Sequence, residues 1–227
     1  MKKVNGFYLP DDEEHLLTFL EGPRAQMFDG KPCYQLYKYQ RCLPFVRQRR
    51  HAVDIGGHCG LWSWPMSHDF SLTTAFEPVP RHFECFKANI PSILGISKKI
   101  PAGVHPVKLH EVALGDEVGE LRIYSVPTSS GGSYACDDGT NVAPLHRLDD
   151  YDLRGVDFVK IDCEGYEYFI LRGGEETIRR EKPAIIVEQK PGNAEKYGIR
   201  QDEACRLLIS WGAKQRFESK GDYCFSW

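Results

Sequence analysis

The sequence predicts an α/β protein with a doubly wound, mostly parallel β-sheet. Three observations lead to this prediction. From residue 51 onward, short apolar runs alternate with segments of helical pattern, which is typical of βαβ units with helices on both faces of a sheet. The first apolar run leads directly into the glycine-rich turn of "HAVDIGGHCGLW" (51–62). The chain has 227 residues, enough for one α/β domain and short for two, so we expect a single domain over residues 1–227.

The first 46 residues are predicted to form a short helical cap on this domain. The run "DDEEHLLTFLEG" (11–22) starts with acidic residues, which favour a helix N-terminus, and ends at Gly22, which suits a helix stop. The run "CYQLYKYQRCLPFV" (33–46) has apolar and aromatic residues at mixed spacing, and it predicts a second helix that ends near Pro44.

Residues 51–227 are predicted to form the core. Its predicted strands are, in chain order, "HAVDI", "LTTAFE", "VKLHEVAL", "ELRIY", "VDFVKID" and "AIIVEQ". Its predicted helices are "LWSWPMSHDF", "PRHFECFKANI" and "DEACRLLISWGA". The last two runs, "KQRFES" and "DYCFSW", are separated by "KGD" and predict an antiparallel hairpin at the end of the chain.

The composition argues against several classes of protein. With 29 Lys and Arg against 32 Asp and Glu, the formal net charge of -3 gives no overall signature of a nucleic-acid binder. The basic run "RQRR" (47–50) fits either a solvated face or a rim that steers substrate. The eight cysteines include no Cys-x-x-Cys pair, which argues against a zinc ribbon and favours reduced thiols. Because the N-terminus has no apolar signal-peptide core and no run approaches ~18 apolar residues, we expect a soluble, cytoplasmic protein without a membrane segment.

The glycine turn is predicted to hold a nucleotide-like ligand. Ligands of open parallel sheets bind beyond the carboxyl ends of the strands, and the first strand ends at Asp54. The following Gly56, Gly57 and Gly60, with His58 among them, allow the backbone to approach a ligand closely and lead into a helix N-terminus with free N–H groups. For the glycines alone, a tight turn without a ligand is the alternative.

The end of the second strand strengthens this prediction. Glu77 is followed by Pro78 and comes 20 positions after Gly57, where a carboxylate can accept hydrogen bonds from both hydroxyls of a ribose. S-adenosylmethionine and a nicotinamide dinucleotide both carry such a ribose. The phosphate fingerprint G-x-G-x-x-G is absent, and the Asp54 carboxylate disfavours a pyrophosphate but suits a cationic amino-acid group. These features favour S-adenosylmethionine.

The same segments resemble the FkbM-type S-adenosylmethionine-dependent methyltransferases, which belong to the class I methyltransferase superfamily. The resemblance covers about residues 50–190, and it is carried in order by "VDIGGHCGLWS", "AFEPVPRHFECFKANI", "EVALGDEVGELRIY", "PLHRLDDY", "VDFVKIDCEGYEYFILRGGEETI" and "KPAIIVE". The most specific piece is "KIDCEGYE". The resemblance implies a Rossmann-like, seven-stranded sheet with a C-terminal antiparallel hairpin, and O-methylation of a hydroxyl on a small molecule or sugar.

The resemblance also implies roles for particular residues. The adenine is expected against "EVALGD", with Glu111 and Ala113 contributing, and a glycine- and serine-rich segment is expected over the active site. The family usually has an alanine-asparagine pair where this chain has Gly57 and His58. For His58, a backbone contact with the cofactor is therefore expected rather than chemistry by the side chain.

The run "VDFVKIDCEG" predicts a buried strand that ends at Asp162, on the same sheet edge as the glycine turn. Strand alternation puts Lys160 on the same face as Asp162, so the ammonium is expected near the acid. Methyl transfer from a sulfonium requires an aligned acceptor oxygen and removal of its proton, which a carboxylate of raised pKa can accept as general base. Asp162 is our first candidate, with Glu164 orienting the acceptor or assisting. A helix N-cap at Asp162 with Glu164 in the first turn is the alternative, and both can hold.

Other groups are further candidates. Glu188 ends "AIIVE" and could face the acceptor, although a surface carboxylate fits equally. His146 could act as a base, although a lone loop histidine is more often solvated. Asp162 and Glu164 could bind a divalent ion, but the sequence shows no clear third ligand, so no metal is predicted. The segment "PTSSGGSYACDDGTN" (127–141) is predicted to be a lid, with a merely mobile connection as the alternative.

The predicted function is methylation of a small-molecule or glycan acceptor with S-adenosylmethionine as donor. Two alternatives stay open. One is a catalytically silent cofactor-binding module that docks a partner through the cap, against which the presence of both Asp162 and Glu164 argues. The other is a nicotinamide-dependent enzyme.

Overall fold

The N-terminal segment of the chain combines two β-hairpins with two helices. The computed structural model describes residues 1–22, 25–96 and 99–227. The segment contains β1 (Lys2–Val4), β2 (Phe7–Leu9), α1 (Leu17–Leu20), β3 (Gln26–Phe28), β4 (Lys31–Cys33) and α2 (Leu36–Cys42). Both predicted helices are present but shorter, and the hairpins correct the expectation of a purely helical cap. The hairpins turn at Asn5-Gly6 and Asp29-Gly30, all at positive φ, and such pairs are the ones that favour tight two-residue turns.

The rest of the chain begins with alternating strands and helices, continues with six successive strands, β7 to β12, and ends with the remaining helices and strands. These elements are β5 (His51–Ile55), α3 (Ser63–Asp69), β6 (Leu72–Phe76), α4 (Pro80–Asn89), β7 (Val107–His110), β8 (Ala113–Leu114), β9 (Gly119–Tyr124), β10 (Tyr134–Ala135), β11 (Asn141–His146), β12 (Val156–Ile161), α5 (Glu167–Arg172), α6 (Glu175–Glu181), β13 (Ala184–Glu188), α7 (Glu203–Ser210), β14 (Lys214–Ser219) and β15 (Asp222–Ser226). The longest described helix, α4, has only 10 residues, and none of the described helices has the length and apolar character to cross a membrane.

Seven strands form the central sheet, in the order β14-β15-β13-β12-β5-β6-β7. The strands from β13 to β7 are parallel, whereas β15 runs antiparallel to both β13 and β14. This confirms the predicted mostly parallel, seven-stranded sheet and its C-terminal hairpin. The strands β5, β12 and β13 are buried at every position, as expected for parallel strands that are covered on both faces.

A smaller four-stranded sheet has the order β10-β9-β11-β8. It corrects the prediction of one strand over "VKLHEVAL", because that run divides after His110: β7 pairs with β6 in the central sheet, and β8 pairs with β11 in the small one. The predicted strand "ELRIY" is β9 and also belongs to the small sheet. The apolar pattern marks such segments as strands, but their partners are set by tertiary packing.

The central strands direct alternate side chains to two apolar layers. On one face, Val53 and Ile55 of β5 pack in a cluster with Ile170 of α5. On the other face, Ala52 lies in a cluster with Tyr39 of α2, whose ring meets the Phe158 ring at a centroid distance of 6.0 Å. The N-terminal segment therefore forms part of one layer over the sheet, and the carboxyl ends of β5, β6, β12 and β13 meet at one edge.

The basic run at residues 47–50 lies at the opposite edge of the sheet. Arg50 binds the carboxylate of Asp157, near the start of β12, with nitrogen-to-oxygen distances of 2.8 and 3.0 Å. Arg49 forms an ion pair of 2.9 Å with Asp69 at the end of α3. These arginines therefore stabilise the amino end of the sheet and do not border the site described next.

Candidate functional site

The turn after β5 fits closely between the ends of β6 and β12. Gly56 has a φ of +73°, and a Cβ at this position would lie 2.2 Å from the backbone oxygen of Asp162. The N–H groups of Gly56 and Gly57 both donate to the carbonyl of Phe76, at 3.1 and 3.0 Å. Position 56 therefore requires glycine, both for the positive φ and for the close approach to β12.

A buried ion pair supports this turn. Lys160 of β12 and Asp54 of β5 are register partners, and Lys160 Nζ lies 3.5 Å from Asp54 Oδ1. The ammonium donates to the Gly56 carbonyl at 2.6 Å, and Asp54 accepts a hydrogen bond from Ser63 Oγ at 2.7 Å. Burial alone would lower the pKa of Lys160, but the carboxylates of Asp54 and Asp162 outweigh it and raise the pKa above its usual value. Lys160 therefore stays charged and holds the turn.

Glu77 organises the same turn from the end of β6, where it is 4% exposed. Its Oε2 accepts a hydrogen bond from the His58 N–H at 2.8 Å, and its Oε1 accepts one from the Val79 N–H at 2.9 Å. His82 Nδ1 lies 3.2 Å from the same Oε1. A carboxylate offers about four acceptor positions, so Glu77 still has one for a ligand hydroxyl.

A first cavity of about 650 Å³, partly open to solvent, lies beside these strand ends. Its apolar wall is formed by Phe76, Val79, Val112, Leu114, Leu121, Ile123 and Ile170. Polar side chains reach it from Glu77, His82, Ser130, Asp162 and Glu164. A mostly apolar wall with a few polar groups is typical of a small-molecule site.

The predicted cofactor residues divide into two groups around this cavity. Those that line it are Gly56, His58, Glu77, Pro78 and Ala113. Asp54 is fully buried and paired with Lys160. Gly60 has a φ of +82°, and a Cβ there would lie 3.0 Å from Ile90, so it serves helix packing.

Glu111 and His146 lie away from the first cavity. Glu111 is exposed, and it borders a separate surface depression together with His146 and Tyr151. His146 Nδ1 lies 2.8 Å from the Tyr151 hydroxyl. Val112 and Ala113, one and two residues after Glu111, take the place in the cavity wall that was expected for the carboxylate.

The predicted lid segment, residues 127–141, does lie against this site. Ser130 is buried, and its N–H donates to Glu13 Oε2 at 2.7 Å. The Ser130 hydroxyl donates to the same carboxylate, and His58 Nε2 lies 2.8 Å from Ser130 Oγ. Burial, with His82 and Lys160 nearby, lowers the pKa of His58 well below its usual value, so this neutral ring donates its Nε2–H to Ser130. The segment is thus tied to the cap through Glu13 and to the glycine turn through His58.

Three carboxylates meet at the ends of β12 and β13, and we call Asp162, Glu164 and Glu188 the carboxylate triad. One oxygen atom from each lies within 4.8 Å of the others. Asp162 has a side chain that is 23% exposed and lies 3.9 Å from Lys160 Nζ. Burial, and then the nearby Asp162, raise the pKa of Glu164 above its usual value. Burial, assisted by Asp162 and Glu164, raises the pKa of Glu188 to about 9.

Two polar neighbours hold the triad from outside. Asn193 Nδ2 donates to Glu164 Oε2 at 2.7 Å, and Lys190 forms an ion pair with Glu188 Oε1. Glu164 has a φ of +52°, a conformation that few residues other than glycine, asparagine and aspartate adopt readily. The positive φ turns the chain back so that Glu164 meets Glu188.

A second cavity of about 900 Å³ lies on the other side of the triad. It is lined by side chains of the cap and of the strand ends, among them His15, Tyr34, Trp62, Lys160, Glu188 and Lys190, and also by Gly57. The two cavities share the residues Gly56, His58, Gly131, Asp162 and Glu164. Asp162 and Glu164 therefore stand on a wall between an apolar cavity and a charged one.

The N-cap interpretation of Asp162 is wrong. Helix α5 begins at Glu167, five residues later, and no side chain caps it. The acid that closes this turn is Glu167, whose Oε1 accepts hydrogen bonds from the N–H groups of Cys163 at 2.9 Å and Gly165 at 3.1 Å. Among the residues that the structure describes, none donates a hydrogen bond to the Asp162 carboxylate, which leaves it available to a ligand.

Glu167 makes the stability of the protein depend on pH. Burial raises the pKa of this carboxyl from 4.5 to about 7, although its bonds to backbone N–H groups oppose the rise. The unfolded chain therefore releases this proton at lower pH than the folded chain, and the free energy of unfolding should fall by on the order of 3 kcal/mol as pH rises from about 4.5 to about 7. In Glu167→Gln this part of the fall should be absent. Urea unfolding at several pH values measures it.

The exposed Glu176→Gln, on the neighbouring helix α6, is the control and should keep the pH dependence of the parent. Because other buried acids also titrate, the difference between the two variants is the quantity to compare. If the free energy of unfolding falls equally with pH in Glu167→Gln and Glu176→Gln, Glu167 does not hold a proton in the folded state.

Several residues of this site were not predicted from the sequence. Glu13 and Ser130 join the cap to the lid segment, and Glu167 closes the turn after β12. Asn193 and Lys190 support the triad. A sequence signal existed only for Glu167, since an acid in the first turn of a helix is a common start signal; the others are brought in by tertiary packing.

The chain matches a known family over most of its length. Residues 54–214 match the family model described as the Methyltransferase FkbM domain. Among curated proteins, "Methyltransferase 1" of Beauveria bassiana (strain ARSEF 2860) is 30% identical over 151 residues, which are 53% of this chain and 57% of that protein. The chain thus spans little more than half the length of this relative.

A solved structure shows the same fold. The chain is similar to the Methyltransferase FkbM from Methylobacillus flagellatus KT, with a TM-score of 0.52 and 16% sequence identity. The match covers 79% of this chain and 44% of that one. At this identity, the similarity concerns the fold alone.

Proposed function

This chain belongs to the FkbM methyltransferase family, and on that premise we propose that it transfers a methyl group from S-adenosylmethionine to a hydroxyl of a small molecule or sugar. The position of Asp162 carries the proposal. Its side chain borders both cavities, so a group bound in one can meet a group bound in the other at this carboxylate.

The first cavity suits the donor. Its mostly apolar lining with a few polar groups is typical of a small-molecule site. The apolar side chains of Val112 and Leu114 suit an adenine ring, and the buried Glu77 has an acceptor position for a ribose hydroxyl. A pyrophosphate would meet no cationic side chain in this lining, which favours S-adenosylmethionine over a dinucleotide.

The second cavity suits a polar acceptor that carries hydroxyl groups. Its lining includes the ionisable side chains of Lys160, Lys190 and the three acids of the triad, together with the aromatic Tyr34 and Trp62. Aromatic faces beside hydrogen-bonding groups suit a sugar or a similar polyhydroxylated molecule. The proposed acceptor is therefore a small molecule or glycan.

The chemistry needs an aligned oxygen and a place for its proton. S-adenosylmethionine supplies the methyl group, and its carbon–sulfur bond breaks with the electron pair going to sulfur as the acceptor oxygen forms its bond to carbon. Asp162 accepts the hydroxyl proton, and Glu164 orients the acceptor. Lys160 stays charged through Asp54 and Asp162, so it holds the glycine turn and does not act as a base.

The first expected result concerns donor binding. Glu77→Ala should weaken S-adenosylmethionine binding by about 10- to 150-fold, because hydrogen bonds to a charged carboxylate contribute about 1.5–3 kcal/mol. Glu77→Gln keeps an acceptor for the His58 N–H and should lose less. Isothermal titration calorimetry measures both, with the exposed Glu84→Ala on α4 as a control that should bind like the parent.

The same titrations test the competing functions. Tight binding of a nicotinamide dinucleotide without binding of S-adenosylmethionine would refute the proposed donor. Incubation with methyl-labelled donor and a panel of sugars and phenols then separates an enzyme from a silent binding module, since only the enzyme releases labelled product.

We also propose a cytoplasmic location. All eight cysteines are free thiols, and four of them form two buried neighbouring pairs, Cys42 with Cys224 and Cys59 with Cys85, without a disulfide. Free thiols in this number are characteristic of a reducing compartment.

A further inference from the structure

We propose that the carboxylate triad of Asp162, Glu164 and Glu188 binds one hard divalent cation of the class of Mg²⁺, Mn²⁺ and Ca²⁺, and that this ion binds two oxygens of the acceptor. The second half of the proposal rests on the proposed methyl transfer; the first half does not. The sequence predicted no metal because it showed no clear third ligand, and Glu188 supplies that ligand in the structure.

The distances within the triad fit such an ion. Its three oxygens lie within 4.8 Å of one another. Oxygen ligands lie about 2.0–2.6 Å from Mg²⁺ or Ca²⁺, so neighbouring ligands are about 3 Å apart and opposite ligands about 4–5 Å apart. The triad therefore needs little movement to place three ligands around one cation.

Glu188 provides a second and independent observation. It is 2% exposed and borders the second cavity, and its Oε1 is paired with Lys190. Its Oε2 has no hydrogen-bond partner among the described residues. A buried acceptor without a partner is unfavourable, and a cation within the triad would remove that penalty.

The local charge is also suited to a divalent ion. Four carboxylates are close together: the three of the triad, and Asp54, which shares Lys160 with Asp162. Among the described residues, the ammonium groups in ion pairs with them are Lys160 and Lys190. With all four carboxylates ionised, as metal ligands must be, four negative charges and two positive charges leave a surplus of two negative charges, which one divalent cation balances.

The bound cation would select the acceptor. An ion with six ligands that takes three from the protein has about three positions left for the contents of the second cavity. Two neighbouring hydroxyls of one sugar or catechol can fill two of them, which fixes both oxygens beside Asp162 at the wall to the first cavity. The inferred substrate class is thus a vicinal diol, and its methylated hydroxyl loses its proton to a triad oxygen that the ion does not use.

Cation binding is measured without donor or acceptor. Chelator-treated protein is titrated with MnCl₂, and the free Mn²⁺ signal is followed by electron paramagnetic resonance. We expect one site per chain, competition by Mg²⁺ or Ca²⁺, and a higher melting temperature when Mn²⁺ is present. Glu188→Gln and Asp162→Asn should each weaken binding by at least about 10–100-fold. Glu195→Gln, an exposed acid in the same region, should bind like the parent.

The possible outcomes separate the cation site from the proposed function. If the parent binds none of the three ions at millimolar concentration, or if all variants bind alike, the cation site is refuted even when S-adenosylmethionine binds. If Glu188→Gln does not fold, cation binding by Asp162→Asn tests the site instead, because the Asp162 side chain is partly exposed and its replacement should be tolerated. Normal cation binding by a protein that binds no S-adenosylmethionine would instead uphold the site and refute the donor.

A preference for diols over mono-alcohols in the cation-loaded enzyme tests the acceptor class, and equal rates would refute it.

Discussion

Replacing Asp162 by asparagine is expected to lower the rate of methyl transfer about 10²–10⁴-fold while changing donor affinity little. The carboxylate stands on the wall shared by the two cavities, where it can take the acceptor proton. Asparagine has nearly the same shape but cannot accept that proton. Because the Asp162 side chain is 23% exposed and caps no helix, the melting temperature should change little. Turnover, donor affinity and melting temperature are measured on one preparation.

The control for this prediction is Asp152→Asn. Asp152 is 73% exposed in its side chain, and its φ of 43° is one that asparagine also adopts readily. This variant should transfer methyl groups like the parent. Parent-like turnover in Asp162→Asn would eliminate Asp162 as the base and direct attention to Glu164.

The cation adds a way to separate two roles of Asp162. The amide oxygen of asparagine can still bind a hard cation, although more weakly than a carboxylate. If Asp162 acts only as a ligand of the ion, a high Mg²⁺ concentration should restore turnover in Asp162→Asn. If Asp162 takes the proton, added Mg²⁺ should leave turnover low.

The Gly56→Ala variant should be the most destabilised of the single substitutions considered. The new Cβ would lie 2.2 Å from the Asp162 backbone oxygen and 3.0 Å from Cys163 Sγ, at a φ of +73°. Either the β5 turn or the end of β12 must move, and such overpacking together with the backbone strain should lower the free energy of unfolding by about 2–5 kcal/mol. Turnover should fall as well, since the movement displaces Asp162. Urea unfolding measures the first effect.

Gly30→Ala is a closely matched control, because Gly30 has a φ of +75° but no atom within 4 Å of a new Cβ. It carries the strain of the positive φ without the clash, so a loss of about 1–2 kcal/mol is expected. If both alanine variants lose equal stability, the close approach of Gly56 to β12 does not contribute.

The central fold could be predicted because its local signals agree. Runs such as "VDFVKID" and "AIIVEQ" are short, apolar and bounded by turn residues, and each forms a strand of the central sheet. The hairpins of the cap were missed although Asn5-Gly6 and Asp29-Gly30 are strong turn signals, because their strands have only three residues each. The small sheet was missed because a strand pattern does not identify its partner.

The site was predicted in part for the same reason. Asp162, Glu164, Glu77 and Gly56 follow strand ends, and parallel strands bring such residues to one edge. The sequence could not show that the Asp54 carboxylate pairs with Lys160 and is buried away from both cavities. This pairing depends on the register between two strands. Nor could it show that the chain turns at Glu164 so that three acids meet.

The pairing of Lys160 with Asp54 also bears on how the two central strands find their alignment during folding. The strands β5 and β12 are buried on both faces, so for their apolar residues a slip by one residue would carry little penalty. Such a slip would, however, separate one ammonium from one carboxylate in the interior, and breaking a buried pair costs about 3–5 kcal/mol. This pair of opposite charges thus favours the native alignment over its neighbours. Gly56 and Asp162 each lie two residues beyond a member of this pair. The pairing of Asp54 with Lys160 therefore also places Gly56 beside Asp162 at the ends of the two strands.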